Sequence, residues 1–492
     1  MSSLPIYVIG SGYSGLATAC YLAKNGEKVI VIEKNSSVGG RARSFQQEGF
    51  TFDMGPSWYW MPDVFEKFFA DFDKKPSDFY DLERLDPSYQ VFYGQDDVWG
   101  IPASMKELYA LFESKEKGAA TKLKKFLSEA KYKYEVGINK LVRKPGKSLA
   151  EFIDIDLAKG LFSLDVFQSM HKHVRSYFKN PQLIQLLEFP ILFLGAMPKD
   201  TPALYSLMNY ADMNLGTWYP KGGMNAVANG MYELAKSLGV EFQLEETVEK
   251  LDVKDKKVTK VVTNKNTYSN PKAIVAGADY HHVEQHLLEE KHRKYSKEYW
   301  DKRVMAPSSL IFYLGINKKV KNLLHHNLFF DQEFEGHAIE IYKEPKWPSN
   351  PLFYVCCPSK TEEGLAPEGM ENVFILIPVA PDLKDEESIR EAYYHKVMDR
   401  LEKLIGEKIR EHVVVKRSYA HKDFIEDYNS FKGNAYGLAN TLLQTAILKP
   451  SMNSKKVKNL FYTGQLTVPG PGVPPSLISG EIVAKEVQSY LN

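Results

Sequence analysis

Three glycines mark the first place where this chain has the residue types and spacing for chemistry. Gly10, Gly12 and Gly15 follow the apolar run Ile6 to Ile9 and precede a helical stretch from Leu16 to Ala23, an order that reads as strand, tight turn and helix start. In such a turn the first glycine permits the bend, the second lets the backbone approach a pyrophosphate, and the third lets helix and strand pack closely. The helix start adds free N–H groups and a partial positive charge, both of which favour phosphate. A second apolar run, Val29 to Ile32, ends in Glu33, about 20 residues past the glycines, where a carboxylate can accept the two ribose hydroxyls of an adenosine. An acid there disfavours a 2′-phosphate, because like charges would meet. Strand, glycines, helix, strand and acid in this order predict a dinucleotide-binding βαβ unit rather than a glycine-rich turn that only packs. The chain then runs into Val38-Gly39-Gly40-Arg41-Ala42-Arg43, followed by Asp53, Gly55 and Pro56. Paired glycines before an arginine suit a loop lying on further phosphate or cofactor ring atoms; a solvated loop is the alternative.

The elements that must hold these residues are drawn from a long chain. With 492 residues, two or three domains are expected. A net charge of +1 gives no global basic field, so nucleic acid is not an expected partner. Cys20, Cys356 and Cys357 show no CxxC spacing, which points to a reducing compartment and away from structural zinc. The first strand begins by residue 6, leaving no room for a cleavable signal peptide, and no apolar stretch reaches the ~20 residues a membrane span needs. The 12 histidines include the adjacent pairs His281-His282 and His325-His326. Sequence neighbours point to different sides of a strand or helix, so these pairs argue against a shared ion and no metal is expected. No nucleophile or zinc-protease signature is present.

Further along, Phe65, Phe68, Phe69 and Phe72 recur at helical spacing, as core packing or an apolar ligand cleft would require. Residues 104 to 180 read as amphipathic helices with a basic cluster at Lys131, Lys133, Lys140, Arg143, Lys144 and Lys147, either a solvated face or a surface for anionic lipid. Leu186 to Pro198 is strongly apolar but too short to span a bilayer; it suits buried core or the mouth of a lipid tunnel. From Tyr219 a glycine pair, a helix, strands from Glu241 and Val248, and the buried run at Lys272 return to the nucleotide-binding sheet. Residues 308 to 430 alternate in strand-like runs that predict a separate sheet-containing domain. The end repeats the opening pattern: a strand (Leu460 to Thr463), Gly464, a Gly and Pro-rich loop, and a helix with Pro474 and Pro475 in its first turn.

The opening "VIGSGYSGLATACYLAKNGEKVIVIEKNSSVGGRARS", with "FDMGPSWYWMPDVF" and the terminal "FYTGQLTVPGPGVPPSLISGEIVAKEV", resembles the bacterial phytoene desaturase family of carotenoid synthesis, within the larger flavin amine-oxidase-like superfamily. The block "LEFPILFLGAMPKDTPALYSLMNYADMNLGTWYPKGGMNAVANGM" extends the likeness over nearly the whole chain and narrows it to carotenoid desaturases. The resemblance implies an α/β architecture of three parts. A discontinuous Rossmann-type FAD-binding domain of the glutathione-reductase kind would take 1–75, 216–290 and 445–492. A sheet-containing substrate-binding domain would take 76–103 and 291–444, and a helical, membrane-associating subdomain 104–215. It places Gly10, Gly12 and Gly15 at the pyrophosphate of FAD with Tyr13 and Ser14 beside them, Glu33 and Lys34 at the adenosine ribose, and Val248 at adenine. Arg41 falls in the loop near the flavin phosphates and Gly464 near the pyrophosphate and ribityl chain, with Gly40, Gly55, Pro56 and Ser57 as further cofactor-binding candidates. Gly472 and Val473 would start the last helix under the ring, where its dipole stabilises negative charge on the reduced flavin. Gln465 is a departure: many relatives carry an acid there to meet the ribityl chain, although an amide also bonds a hydroxyl.

The implied reaction removes two hydrogens across a C–C single bond of a linear C40 polyene, with hydride passing to the flavin. The developing cation spreads over the polyene, so the protein has chiefly to position substrate and exclude water. The departing proton needs an acceptor, for which Glu188, Asp212 or a flavin atom are weak candidates. The expected product is lycopene from phytoene, on the cytoplasmic side of a bilayer surface that stores the substrate, with quinone or oxygen as electron acceptor. Two rivals remain at this point: a desaturase of a later hydroxylated or cyclised carotenoid, and a non-catalytic prenyl- or lipid-binding protein on the same scaffold. An amine oxidase fits the fold alone.

Overall fold

The computed structural model describes residues 4–148, 151, 168–441 and 444–492. Its first sheet is built from four-residue and three-residue apolar runs drawn from both ends and the middle of the chain. The strand order is Leu460–Tyr462, Ala273–Ala276, Ile6–Ile9, Val29–Ile32 and Glu241–Gln243, all parallel. Ile6–Ile9, Val29–Ile32 and Ala273–Ala276 are buried at every position, which is why they read as continuous hydrophobic runs rather than alternations. Tyr13–Lys24 and Val473–Leu491, the first and last helices, pack together in one core with the helix Gly223–Ser237. The two chain ends are therefore one structural unit.

A second, seven-stranded sheet has the order Val413–Tyr419, Ser308–Ile316, Glu371–Val379, Phe353–Cys356, His326–Phe329, Tyr89–Phe92 and Val98–Ile101. Every pairing is antiparallel except that of His326–Phe329 with Tyr89–Phe92. Ser308–Ile316 shows how this sheet serves two sides at once. Leu310, Phe312, Leu314 and Ile316 pack beneath Val397, Met398 and Leu401 of the helix Glu387–Ile405, while the alternate residues Ile311 and Tyr313 belong to the core shared with the first sheet. The strand is buried on both faces, so its sequence shows no alternation.

Of two open readings of the sequence, one is decided here and the other changes. Phe65, Phe68, Phe69 and Phe72 pack in the core against Tyr21, Tyr59, Phe79 and Tyr80. They support the helix Pro62–Ala70 and line no ligand cleft. Nor does the basic cluster form a single solvated face. Lys133 is fully buried, its Nζ 3.3 Å from the Ala203 carbonyl and from Ser206 Oγ. Arg143 pairs with Glu481 and Lys147 with Glu486 on the last helix, so these cations tie the helical region to the nucleotide-binding core. Part of the stretch read as helical, 149–150 and 152–167, lies outside the described residues. Among the described residues no helix is long and apolar enough to cross a membrane.

Candidate active site

One cavity gathers most of the nominated residues. Gly10, Gly12, Tyr13 and Ser14 form its floor where the first strand meets the first helix; Glu33, Lys34 and Val248 bound one end. Gly40 and Arg41 face that floor, and Gly55, Pro56, Gly464, Gln465, Gly472 and Val473 close the opposite end. The local sequence explains this geometry. A Cβ on Gly15 would lie 2.0 Å from the Gly10 carbonyl oxygen, so this position admits no side chain and itself stays off the cavity wall. A Cβ on Gly12 would meet nothing within 4 Å, which leaves the space a pyrophosphate needs above the start of the helix. Glu33 is held at the wall from both sides. Ser11 donates to Oε2 through its backbone N–H and its hydroxyl, both at 2.8 Å, and Asn35 donates to Oε1 through N–H at 2.9 Å and Nδ2 at 2.8 Å.

Arg41 carries the electrostatics. Its guanidinium reaches Ser430 Oγ at 3.1 Å and the Asn434 carbonyl at 3.4 Å, and lies over the Tyr428 ring at 5.0 Å. Among the described residues it has no carboxylate in ion-pair contact, and its buried Nε has no hydrogen-bond partner. Burial pulls its pKa below the usual arginine value. A half-buried cation whose nearest opposite charge, Asp279, is out of ion-pair contact is costly unless a further anion is supplied. A pyrophosphate held by the glycine floor is such an anion, so the residues present fit a dinucleotide. Asp279, another wall residue, accepts N–H groups of His282 and Phe431 at 3.1 and 3.2 Å, and burial pushes its carboxyl up to about 6.

The chain matches the model of the family described as flavin containing amine oxidoreductase over residues 13–488. The chain belongs to that family. It is 41% identical to a carotenoid 3,4-desaturase of Haloarcula japonica over 486 residues, covering 99% of this chain and 98% of that protein. It is 32% identical to a 4,4'-diapophytoene desaturase (4,4'-diaponeurosporene-forming) of Staphylococcus haemolyticus, with 98% of each covered. Among solved structures, an oxidoreductase from Methanosarcina mazei aligns with a TM-score of 0.62 at 14% identity, covering 98% of this chain and all of that one. A redesigned putrescine oxidase aligns at 0.61 and 11%, covering 99% of each. Within its superfamily the chain is thus a carotenoid desaturase of the bacterial phytoene desaturase type: an FAD-dependent oxidoreductase acting on CH–CH bonds.

The desaturase places its remaining nominated residues elsewhere. Ser57 is off the main cavity, its hydroxyl 3.0 Å from Tyr354 Oη. Neither weak proton-acceptor candidate lines the cavity. Glu188 is paired with Arg175 and lies 3.5 Å from His171, and burial pushes it up to about 7. Asp212, also pushed up to about 7 by burial, accepts from Tyr89 Oη at 2.7 Å and Thr217 Oγ1 at 3.4 Å. Both already have protein partners.

The expectation that adjacent histidines diverge fails at His325 and His326. The strand begins at His326, so His325 lies in the preceding turn, and their rings come within 4.4 Å. The donor atoms of both and of Cys356 lie within 4.8 Å of one another. His325 Nδ1 is 2.7 Å from Thr361 Oγ1 and His326 Nδ1 is 2.6 Å from Tyr354 Oη. Burial pushes the Cys356 thiol up to about 12, so the trio is held as neutral, hydrogen-bonded groups.

Several wall residues escaped the sequence reading. Asp427, Tyr428 and Asn429 come from the end of the helix His421–Tyr428, and Arg43 pairs with Asp427 at 2.8 Å to hold that segment over the cavity. No local pattern marks this helix; only the long-range pairing of Arg41 and Arg43 with it does. Ile311, Leu376, Leu466 and Tyr436 give the wall near Gly472 an apolar surface. Beyond Gly55 and Pro56, Trp58 stacks on His326 at 4.2 Å and meets Trp60, Tyr89, Phe189 and Tyr354 within 6.3 Å.

Proposed function

We propose that this desaturase oxidises phytoene stepwise to lycopene. The observation that carries the reading is a cavity fitted to FAD whose lining also includes the apolar side chains Ile311, Leu376 and Leu466 and the ring of Tyr436. When bound, FAD supplies the acceptor for hydride. The chain's own residues do the rest. Arg41 and the helix start hold the phosphates, fixing where the ring must lie. Ile311, Leu376 and Tyr436 offer hydrocarbon contact and no fixed charge, so a polyene is aligned and water is kept from a developing cation. The Trp58 to Phe189 cluster continues that apolar surface toward the helical region.

A second reading, desaturation of a later carotenoid at its 3,4-bond, is favoured by the 41% identity to the Haloarcula japonica protein. The 32% identity to a diapophytoene desaturase supports a less oxidised linear substrate. Expression in cells that accumulate phytoene, with pigment analysis, separates the two: coloured products support the first reading, and unchanged phytoene sinks it. We further propose docking on a bilayer surface on the cytoplasmic side, since the substrate is a lipid, with quinone or oxygen taking the electrons. Failure to sediment with liposomes overturns the docking.

A further inference from the structure

Lys449 is a buried amine with no partner. It is 5% exposed, and among the described residues its Nζ has no hydrogen-bond acceptor. Close by, Asn440 is 4% exposed and its Oδ1 lacks a donor. Both atoms converge on Gly470: a Cβ there would lie 3.0 Å from Asn440 Oδ1 and 3.1 Å from Lys449 Nζ, and the residue sits at φ +132°, so only glycine fits beneath them. Gly470 is two residues before Gly472, which lines the cavity and caps the last helix. The amine thus packs against the segment that leads into that helix, where its 5% exposure leaves little water to screen it.

We propose that Lys449 is the charge-compensating group of the flavin, uncharged while the cofactor is oxidised and protonated while it is reduced. Dehydrogenation delivers two fragments. One C–H bond leaves with both electrons as hydride to the flavin; the adjacent C–H bond gives up its proton, and its electron pair becomes the second bond of the alkene. The reduced ring gains negative charge and Lys449 gains the proton, so the dry site stays neutral overall. Reoxidation removes two electrons and two protons, the hydrogen that arrived with the hydride and the proton held by Lys449, so a quinone leaves as quinol or oxygen as hydrogen peroxide and both groups return to their starting states. Asn440 Oδ1, which lacks a donor and converges on the same glycine, is the nearby oxygen toward which a new ammonium N–H can turn.

The surroundings agree. Burial pulls the Lys449 amine down to about 7, with no charged or titratable side chain contributing among the described residues. The segment around Gly146 that packs on Ala446 brings Arg143 and Lys147, each committed to a glutamate of the last helix. A group that titrates near neutrality in the oxidised state changes its proton occupancy most readily when charge appears beside it.

The test needs no carotenoid, so it is independent of which polyene is the substrate. Purified FAD-bound protein is reduced anaerobically in weak buffer with a pH indicator, and protons taken up per two electrons are counted. At about pH 8 the unaltered protein takes up one proton more than Lys449→Met or Lys449→Arg, and at about pH 6 the difference vanishes because the amine is already charged. Equal counts at the higher pH overturn the proposal. Each variant is used only if it retains FAD. Should neither do so, the unaltered protein decides: about two protons per two electrons above pH 8 agree with the proposal, and a count of one contradicts it.

Discussion

The phosphate end and the hydrocarbon end of the site are built on opposite principles. At the phosphate end single residues are irreplaceable, because backbone must come within contact of backbone at Gly15 and Gly10, and one half-buried guanidinium, Arg41, must face an anion. At the other end, proposed for the hydrocarbon, the largely buried cluster of Trp58, Tyr89, Phe189 and Tyr354 behind Gly55 and Pro56 acts collectively, each touching several others. Substitutions at the first end should therefore act on cofactor retention, and at the second by degrees on turnover.

The sharpest way to break that contrast is within the glycines. Gly15→Ala forces a Cβ into the Gly10 carbonyl, so about 1–3 kcal/mol of stability and FAD retention are lost together. Gly12→Ala meets open space, and the apoprotein should melt as the unaltered chain does while FAD is lost. Equal thermal behaviour of the two apoproteins would contradict the assignment. Next in size, Arg41→Met should weaken FAD by about 10–100-fold, since a charged hydrogen bond contributes about 1.5–3 kcal/mol, and should raise apoprotein stability by removing an uncompensated charge. Titration with FAD and apoprotein melting check both halves.

At the hydrocarbon end, Trp58→Leu should leave a yellow protein with normal flavin content but roughly ten-fold lower kcat/KM on a linear carotenoid, about 1.4 kcal/mol of lost positioning. Loss of flavin in this variant would erase the distinction between the ends. The smallest effect concerns pH. Asp212 has its folded pKa raised, so the stability it contributes is full below the ordinary carboxyl range and is lost as pH rises to about 7. Asp212→Asn should flatten the melting temperature across that window and leave FAD binding untouched.

The same contrast decides what was legible in the sequence. Strand, glycines and Glu33 could be placed because close approach and φ restrict residue type at each position, and the strands 308–316 and 273–276 because length and burial left few alternatives. The hydrocarbon end was not legible. Apolar packing is degenerate, so the phenylalanines at 65 to 72 fitted core or cleft alike and are core, while Trp58 and Phe189 meet only through the tertiary fold. Lys133 read as surface because a lysine rarely finds two buried oxygen acceptors, as it does at Ala203 and Ser206. The segment 427–429 over the cavity depends on the pairing of Asp427 with Arg43, 384 residues away, and the burial of Lys449 depends on how its segment packs on Gly470, neither of which local spacing reveals.

The central claim is that an FAD cradle joined from both chain ends oxidises a linear carotenoid directly. Its most direct test is anaerobic mixing of the FAD-bound protein with phytoene-loaded liposomes in a stopped-flow spectrometer. Loss of the oxidised flavin band in step with the appearance of a longer polyene chromophore is the predicted result; a flavin that stays oxidised with every linear carotenoid offered would contradict it.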